Sequence, residues 1–215
     1  MMAFTHGLAS VAVATALLPF GPEYAAPPVL AAALLGGIAP DLDVVADHRK
    51  TLHFPVGYTA LAAGLLGVHA VAADPTLWLV WVAVAAAAAH SWADVLAGSV
   101  EAEPWNPTTE RAVYNHALGA WHRPRRLVRY SGAVEDVLLG LACAGVAVAA
   151  PVTGPTADAG LIAVGALSGL YAVLRHPSVR LDAIAERFPA AWARLPAISV
   201  EETESGATTV SLRYR

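Results

Sequence analysis

The sequence predicts an all-α protein, a polytopic bundle of about six membrane helices followed by a short C-terminal helix and a β-hairpin tail. Of its 215 residues, 57% are apolar by type and only 14% are charged, whereas a soluble globular domain is usually about 45–50% apolar and about 25% charged. The mean hydropathy is +0.54. The apolar residues also gather into runs, and a helix of about 20 apolar residues spans a hydrocarbon core of about 30 Å. Together these features indicate a membrane protein.

Six apolar runs define the predicted helices, and turn-forming residues separate them. The runs cover residues 4–20, 28–40, 54–73, 77–97, 133–150 and 159–174. The third and fourth runs reach the length that a perpendicular span needs, whereas the first, second and sixth are shorter. A short run can re-enter the membrane or span it where the bilayer thins locally. Turns between the runs are indicated by Pro19, Pro22, Pro27, Pro28, Asp74-Pro75, Pro151 and Gly154-Pro155.

The chain divides into a transmembrane bundle, residues 1–176, and a cytoplasmic tail, residues 177–215. The tail begins with PSVRLDAIAERF, residues 177–188, in which an initial proline and a spaced apolar stripe predict a short helix. The last segment, ISVEETESGATTVSLRYR, alternates apolar and polar residues around Ser205-Gly206. That alternation about a turn signal predicts a β-hairpin.

The distribution of cations predicts the orientation. With six crossings, all thirteen Lys and Arg residues fall in segments of one side, which begin at Arg49, Arg111 and Arg175. Basic loops mark the cytoplasmic side, so we expect a multi-pass protein of the cell (inner) membrane with both termini in the cytoplasm. A net charge of −4 argues against nucleic-acid binding, which needs cations against phosphates. Membrane lipids are the expected partners.

Titratable residues gather where the chain is otherwise most apolar. The stretch APDLDVVADHRKTLHFP, residues 39–55, lies between two apolar runs, and His90 and Asp94 share one face of the last turns of the fourth helix. The predicted orientation brings seven such residues to the cytoplasmic end of the bundle: His6, Asp41, Asp43, His48, His53, His90 and Asp94.

A bound divalent cation would explain this set, because ionisable groups within a membrane span are costly unless they meet a partner. Mixed His and Asp coordination suits zinc, with manganese and iron as alternatives. Seven residues exceed the ligands of one ion, so either two ions share them or some orient ligands and move protons. Other interpretations remain open for single members. His90 and Asp94 can form a hydrogen-bonded helix pair, Asp41 can end a helix, and Arg49 can neutralise a nearby carboxylate.

Four short motifs occur in order along the first hundred residues. They are Thr5-His6, Pro40-Asp41-Leu42-Asp43, His48-Arg49-Lys50-Thr51-Leu52-His53 and His90-Ser91-Trp92-Ala93-Asp94. Together they resemble the membrane-bound, metal-dependent hydrolase family of bacterial and archaeal inner membranes, which is distantly similar to zinc-dependent phospholipases C. The basic stretch ERAVYNHALGAWHRPRRLVRY also resembles a loop of the archaeal members. The resemblance implies a metal-dependent hydrolase that acts on a phosphoester or lipid-like substrate at the cytoplasmic membrane face.

On this hypothesis, each polar residue has an expected role. The metal ligands are His6, Asp41, His53, His90 and Asp94. Asp43 and His48 act as further ligands or proton carriers, and either Asp41 or Asp43 serves as general base. Arg49, together with Arg123 and Arg125, receives phosphate oxygens, since a guanidinium matches them bidentately.

Two other functions fit parts of the pattern. A metal-binding transporter or sensor would use the same ligands, but a transport path needs polar groups near the midplane, and the outer helix halves carry little besides His69. A non-catalytic membrane scaffold would use the Arg-rich loop, residues 111–129, to bind anionic lipid or a soluble partner. The scaffold hypothesis leaves the His and Asp residues unexplained.

Overall fold

Six α-helices dominate the computed structural model, which describes residues 1–20, 26–101, 105–175, 197–202 and 208–213. In that part of the chain the helices are α1 Ala3–Leu17, α2 Ala26–Ile38, α3 Pro55–Ala72, α4 Pro75–Ala93, α5 Val134–Ala149 and α6 Pro155–Arg175. A 3₁₀ segment, Ala39–Val45, continues α2, and another, Asp94–Leu96, continues α4. The all-α prediction is therefore confirmed, and the helices fall close to the six apolar runs.

Four segments are long and apolar enough to cross a membrane: Ala26–Val45, Pro55–Ala72, Pro75–Leu96 and Pro155–Leu174. The third helix exposes most of its apolar surface, with only 11% of its most apolar window buried inside the protein. Bare apolar helix faces of this kind are expected where lipid, and not protein, covers them. The number of crossings and their direction stay predictions.

Helix starts follow the proline signals in the sequence. Pro55, Pro75 and Pro155 each stand at the first position of a helix, where the missing N–H costs nothing. Between α3 and α4, Ala73 adopts the left-handed conformation (φ 49°), and Asp74 Oδ1 accepts from the N–H groups of Thr76 and Leu77. This N-cap satisfies two otherwise unpaired donors and turns the chain back, so that α4 returns antiparallel to α3.

The packed interior lies between α1, α2, α4 and α5. Leu8 and Val11 of α1 are fully or nearly fully buried against apolar residues of α2 and α5. Two adjacent glycines, Gly36 and Gly37, let α2 lie directly between α1 and α4. A Cβ atom at Gly36 would overlap the carbonyl oxygen of Ala83 in α4, and one at Gly37 would lie 2.6 Å from the Ser10 hydroxyl oxygen in α1. Small residues permit this backbone approach in membrane bundles.

Two loops cover one end of the bundle, and their described residues are 46–54 for the first and 97–101 with 105–133 for the second. They are joined by a hydrogen bond from the Tyr114 N–H to the Arg49 carbonyl, and the second loop is tied to α4 by one from the Arg125 N–H to the Val95 carbonyl. Strands β1 (Tyr114–Asn115) and β2 (Ala120–Trp121) pair antiparallel in this loop. The basic residues at 49–50 and 111–129 therefore lie at the same end.

The predicted C-terminal hairpin is present. Strand β3 (Ala197–Glu202) pairs antiparallel with β4 (Thr208–Arg213), with Val200 opposite Val210. The predicted helix at 177–188 and the turn at Ser205-Gly206 lie outside the described residues.

The glycine contact between α2 and α4 yields a stability prediction. Gly36→Ala should lower the free energy of unfolding by about 1–3 kcal/mol, because the new methyl group must push two helix backbones apart. The control is Gly64→Ala in α3, where a Cβ would meet nothing within 4 Å. Unfolding midpoints of both variants in one detergent measure the difference. Equal midpoints for the two variants would contradict the close approach.

Candidate metal centre

The seven polar residues selected from the sequence lie in one network at the end of the bundle covered by the loops. Pro40 turns the end of α2 into the 3₁₀ segment that carries Asp41 and Asp43. His53 lies two residues before the start of α3, and His6 lies in the first turns of α1. His90 lies in the last turn of α4, and Asp94 begins the 3₁₀ segment that follows it. The side chains of His6, Asp43, His53, His90 and Asp94 are buried to 98% or more.

Four of these residues form a group that could hold a metal ion: Asp41, His53, His90 and Asp94. Their ligand atoms all lie within 4.8 Å of one another. His53 Nε2 lies 3.1 Å from His90 Nε2, 3.3 Å from Asp94 Oδ2 and 3.7 Å from Asp41 Oδ1. His90 Nε2 lies 3.4 Å from Asp41 Oδ1 and 3.6 Å from Asp94 Oδ2.

These separations fit tetrahedral coordination. Ligands about 2.0–2.1 Å from zinc at the corners of a tetrahedron are about 3.3–3.4 Å apart, and the five distances, 3.1–3.7 Å, lie on either side of that value. Two imidazole nitrogens and two carboxylate oxygens are also ligand types that zinc, manganese and iron accept. The residues present therefore fit a divalent cation.

Hydrogen bonds on the far side of each imidazole direct its lone pair into the group. His90 Nδ1–H donates to the Gly37 carbonyl at 2.7 Å, and His53 Nδ1–H donates to Asp43 Oδ2 at 2.9 Å. Each acceptor there lacks a proton, so the proton of the neutral ring must be on Nδ1. Both Nε2 atoms then present lone pairs to each other. A lone pair does not bond to a lone pair, so this arrangement requires a cation or an added proton.

The carboxylates of Asp41 and Asp94 also need a cation or a proton beside them. Asp41 Oδ1 is buried and has no hydrogen-bond partner among the described residues, and the buried Asp94 Oδ2 has close neighbours only in His53, His90 and the Arg49 guanidinium, whose Nε lies 3.1 Å away. Burial opposes a charge on His53, but hydrogen bonds to Asp43 and Asp94 outweigh it and raise the pKa of its imidazole above the ordinary value. The anionic surroundings thus favour positive charge at this point, and a metal cation would meet the same preference.

Asp43 lies outside the ligand group and holds it in place. Its Oδ1 accepts from His48 Nδ1–H at 2.8 Å and its Oδ2 from His53 Nδ1–H. The backbone N–H groups of Arg49 and Leu52 complete its partners at 3.3 and 3.1 Å. One carboxylate therefore orders the whole loop and orients two imidazoles, as carboxylates behind metal-binding histidines commonly do.

Asp94 is held from behind by three other groups. His6 Nε2–H donates to Oδ1 at 2.9 Å, and the Met1 amino group lies 2.6 Å from the same oxygen. Arg49 Nε approaches Oδ2 at 3.1 Å while its Nη1 donates to the Gly98 carbonyl. His6 also stacks on His90 with ring centroids 3.7 Å apart. The structure thus places His6, predicted as a ligand, and Arg49, predicted as a phosphate binder, against a ligand.

The accessible edge of the centre is formed by His48 and Asp41. Their side chains are 24% and 12% exposed, and His48 Nε2 lies 4.0 Å from Asp41 Oδ1. Because His48 Nδ1–H is bound by Asp43, its Nε2 carries the lone pair. Arg123 and Arg125, also predicted to contact substrate, are exposed in the second loop.

Three contributions were not foreseen from the sequence. The Gly37 carbonyl sets the tautomer of His90, and the Gly36-Gly37 pair was a visible signal of close helix approach. The Met1 amino group contacts Asp94. Asp136 in α5 is fully buried, and its Oδ2 accepts from the backbone N–H groups of Met2 and Gly132, which fixes the start of α1 beside the centre.

No family model, no curated protein and no solved structure matches this chain. The resemblance to the membrane-bound hydrolase family therefore rests on the four motifs.

The role of Asp43 leads to a prediction on metal affinity. Asp43→Asn should weaken the binding of added zinc by about 10–100-fold, because an amide offers one acceptor oxygen where the carboxylate offers two and cannot orient both His48 and His53. Asp47→Asn is the control, since Asp47 is in the same loop but its side chain is 37% exposed and pairs with Lys50. Competition with a chromogenic chelator measures both affinities. Unchanged affinity in Asp43→Asn would show that the carboxylate does not orient a ligand.

Proposed function

We propose that this protein is a membrane-embedded, metal-dependent hydrolase that uses zinc to cleave a phosphoester of a lipid-like substrate at the cytoplasmic membrane face. The observation that carries the proposal is the group of four inward-facing lone pairs on Asp41, His53, His90 and Asp94. Among the described residues Arg49 meets only the Asp94 oxygen of this group, whereas a divalent cation would meet all four atoms. The order of the four sequence motifs supports the same function.

A bound divalent cation would supply Lewis-acid chemistry by polarising the attacked group and lowering the pKa of a coordinated water. The chain supplies the remaining parts. Asp43 holds His48 by its Nδ1–H, so that the free Nε2 can accept a proton beside Asp41. A carboxylate that orients an imidazole base in this way is a common catalytic arrangement. Arg49 balances the charge of Asp94 from the buried side.

The position of the ligands favours catalysis over a purely structural metal. Four protein ligands usually close a structural zinc site, but Asp41 lies at an accessible edge and directs Oδ1 towards His90 Nε2 in the ligand group. A ligand at an accessible edge could move aside, which would leave room for a substrate atom as catalytic sites require. His48 lies at the same edge, oriented by Asp43 and with its Nε2 lone pair available. A purely structural metal site does not need such an imidazole.

The depth of the centre indicates the kind of substrate. Its ligands stand at the ends of two segments that are apolar enough to cross a membrane, Ala26–Val45 and Pro75–Leu96, and just before a third begins at Pro55. An amphiphile with its apolar part in the bilayer would therefore present its polar group at the level of the ligands. Arg123 and Arg125, exposed in the loop at this end, would attract phosphate oxygens.

The proposal predicts that metal binding and turnover depend on different residues. His90→Ala and Asp41→Ala should lose zinc from the purified protein, because each removes one of the four ligands. His48→Ala should keep zinc but lose about 10²–10⁴-fold in kcat, the usual effect of removing a general base. Elemental analysis and hydrolysis of a chromogenic phosphodiester, with zinc or manganese added, measure the two effects.

His116→Ala is the matched control, because this exposed histidine at the same end is outside the ligand group, hydrogen-bonds to the Lys50 carbonyl and packs against Phe54 and Tyr114. It should keep both metal and activity. Zinc-loaded wild type that hydrolyses neither phosphodiesters nor phospholipids would contradict the proposed function. Uptake of zinc into proteoliposomes would favour transport instead.

A further inference from the structure

An apolar groove runs along α1 and α4 and ends at the metal centre. It has a volume of about 180 Å³, and its walls include Ala9, Val13, Ala85 and Ala89. Its two ends differ in chemistry. His6 and His90 line one end, and Trp78 and Trp81 line the other. Among the described residues, no Asp, Glu, Lys or Arg side chain lines it, so the groove suits a hydrocarbon and not a polar ligand.

Small side chains on one face of α4 create the groove. Ala85 and Ala89 are one turn apart, and together with Ala93 they continue the same face towards Asp94. Opposite them, α1 contributes Val13 and Leu17, which are 58% and 40% exposed. The groove is thus open on the side where lipid would surround α1. A chain could enter from the bilayer without crossing the protein.

The length of the groove fits one extended hydrocarbon chain. Its lining runs from Met1 to Leu18 along α1, and a helix of the 15 residues of α1 is about 22 Å long at about 1.5 Å per residue. That length exceeds one leaflet, which is about half of a hydrocarbon core of about 30 Å. A cavity of about 150 Å³ lined by apolar side chains binds benzene, so a groove of about 180 Å³ encloses a part of a long chain, and the rest of the chain would lie along its open side.

The imidazoles of His6 and His90, at one end of the groove, are shared between the groove and the metal centre. His90 offers Nε2 to the ligand group, and His6 both stacks on His90 and donates to Asp94. The same rings therefore form a wall of the groove and a wall of the metal centre. A chain lying in the groove would have one end beside the centre and the other between α1 and the two tryptophans.

We propose that this groove binds the single hydrocarbon chain of the substrate, so that the substrate is a phosphoester carrying one long alkyl, acyl or prenyl chain. The inference rests on the proposed hydrolase function for the phosphoester. The chain-binding part can be tested without turnover, because Trp78 and Trp81 report on whatever lies at the far end.

Fluorescence quenching by bromine provides the test. The probe is hexadecyl phosphate brominated at its terminal carbon, compared with the isomer brominated beside the head group, each added to the purified protein in detergent. With the phosphate at the histidines, the terminal bromine reaches Trp78 and Trp81, whose ring centroids are 4.6 Å apart. We expect the terminal isomer to quench more strongly than its partner, and a double variant, Trp78→Phe with Trp81→Phe, to lose the difference.

Filling the groove should remove the effect. Ala89→Leu and Ala85→Leu each place a larger side chain where about two methylene groups of the chain would lie, which should weaken binding about tenfold. The matched control is Ala63→Leu on α3, an exposed position away from the groove. Zinc content and the unfolding midpoint show that the filled variants are folded. In turnover, the filled variants should raise KM for the hexadecyl substrate more than KM for a butyl ester, whereas Ala63→Leu should change neither.

The possible results separate the two proposals. Equal quenching by the two isomers, or quenching that survives Ala89→Leu and Ala85→Leu, would mean that bulk lipid covers the groove and would overturn the inference. The expected quenching without any hydrolysis would keep the groove as a chain site and overturn the hydrolase function. Hydrolysis that is insensitive to chain length in all variants would keep the function and overturn the groove.

Discussion

The structure depends on one electrostatic constraint, the convergence of four lone-pair atoms of which only Asp94 Oδ2 faces a cationic side chain, that of Arg49. His53 and His90 cannot relieve it by changing tautomer, because Asp43 and the Gly37 carbonyl each require the proton on Nδ1. Buried anionic oxygens without a partner are costly, more so beside hydrocarbon than beside water. A divalent cation removes that cost at once for all four atoms. The surrounding helices and loops therefore hold these four atoms close together in the absence of an ion.

Packing between the helices fixes the positions of the four atoms. Gly36 and Gly37 bring the backbone of α2 against α1 and α4, which puts the Gly37 carbonyl within 2.7 Å of His90 Nδ1. On the other side, Asp136 of α5 fixes the backbone at Met2, so that α1 presents His6 to Asp94 and to the ring of His90. The ligands come from three helix ends, but their geometry is set by contacts from all of α1, α2, α4 and α5. Such distributed support is what keeps a metal site precise to a few tenths of an ångström.

The sequence predicted the helices and that the polar residues lie close together. It did not predict which of these residues belong to the ligand group and which orient a ligand. Apolar runs and prolines locate α3 and α4 closely, and the spacing of four puts His90 and Asp94 on one face. Whether a residue binds the ion or orients a ligand depends instead on contacts over long separations. His6 and Arg49 became partners of Asp94, and Asp43 took a position behind His53, through contacts that no local pattern encodes. Arg49 adopts φ 59° in its loop and points its guanidinium inward, which a basic residue beside an acidic stretch does not suggest. The groove was also hidden, because it arises from missing side-chain volume on α4.

On the proposed function, the arrangement separates two routes to one centre, one for water and one for a lipid-like substrate. Water is abundant at the loop end and scarce in the bilayer, whereas an amphiphile is concentrated in the bilayer. His48 and Asp41 are the exposed members of the site and face the loop end, while the groove opens beside α1, where Val13 and Leu17 are exposed. Both routes meet at His90, whose ring lines the groove and whose Nε2 faces the ligands. A soluble hydrolase would have to extract its substrate from the membrane first. A centre placed at the ends of the helices lets the chain stay in an apolar environment throughout, so binding energy need not offset that extraction.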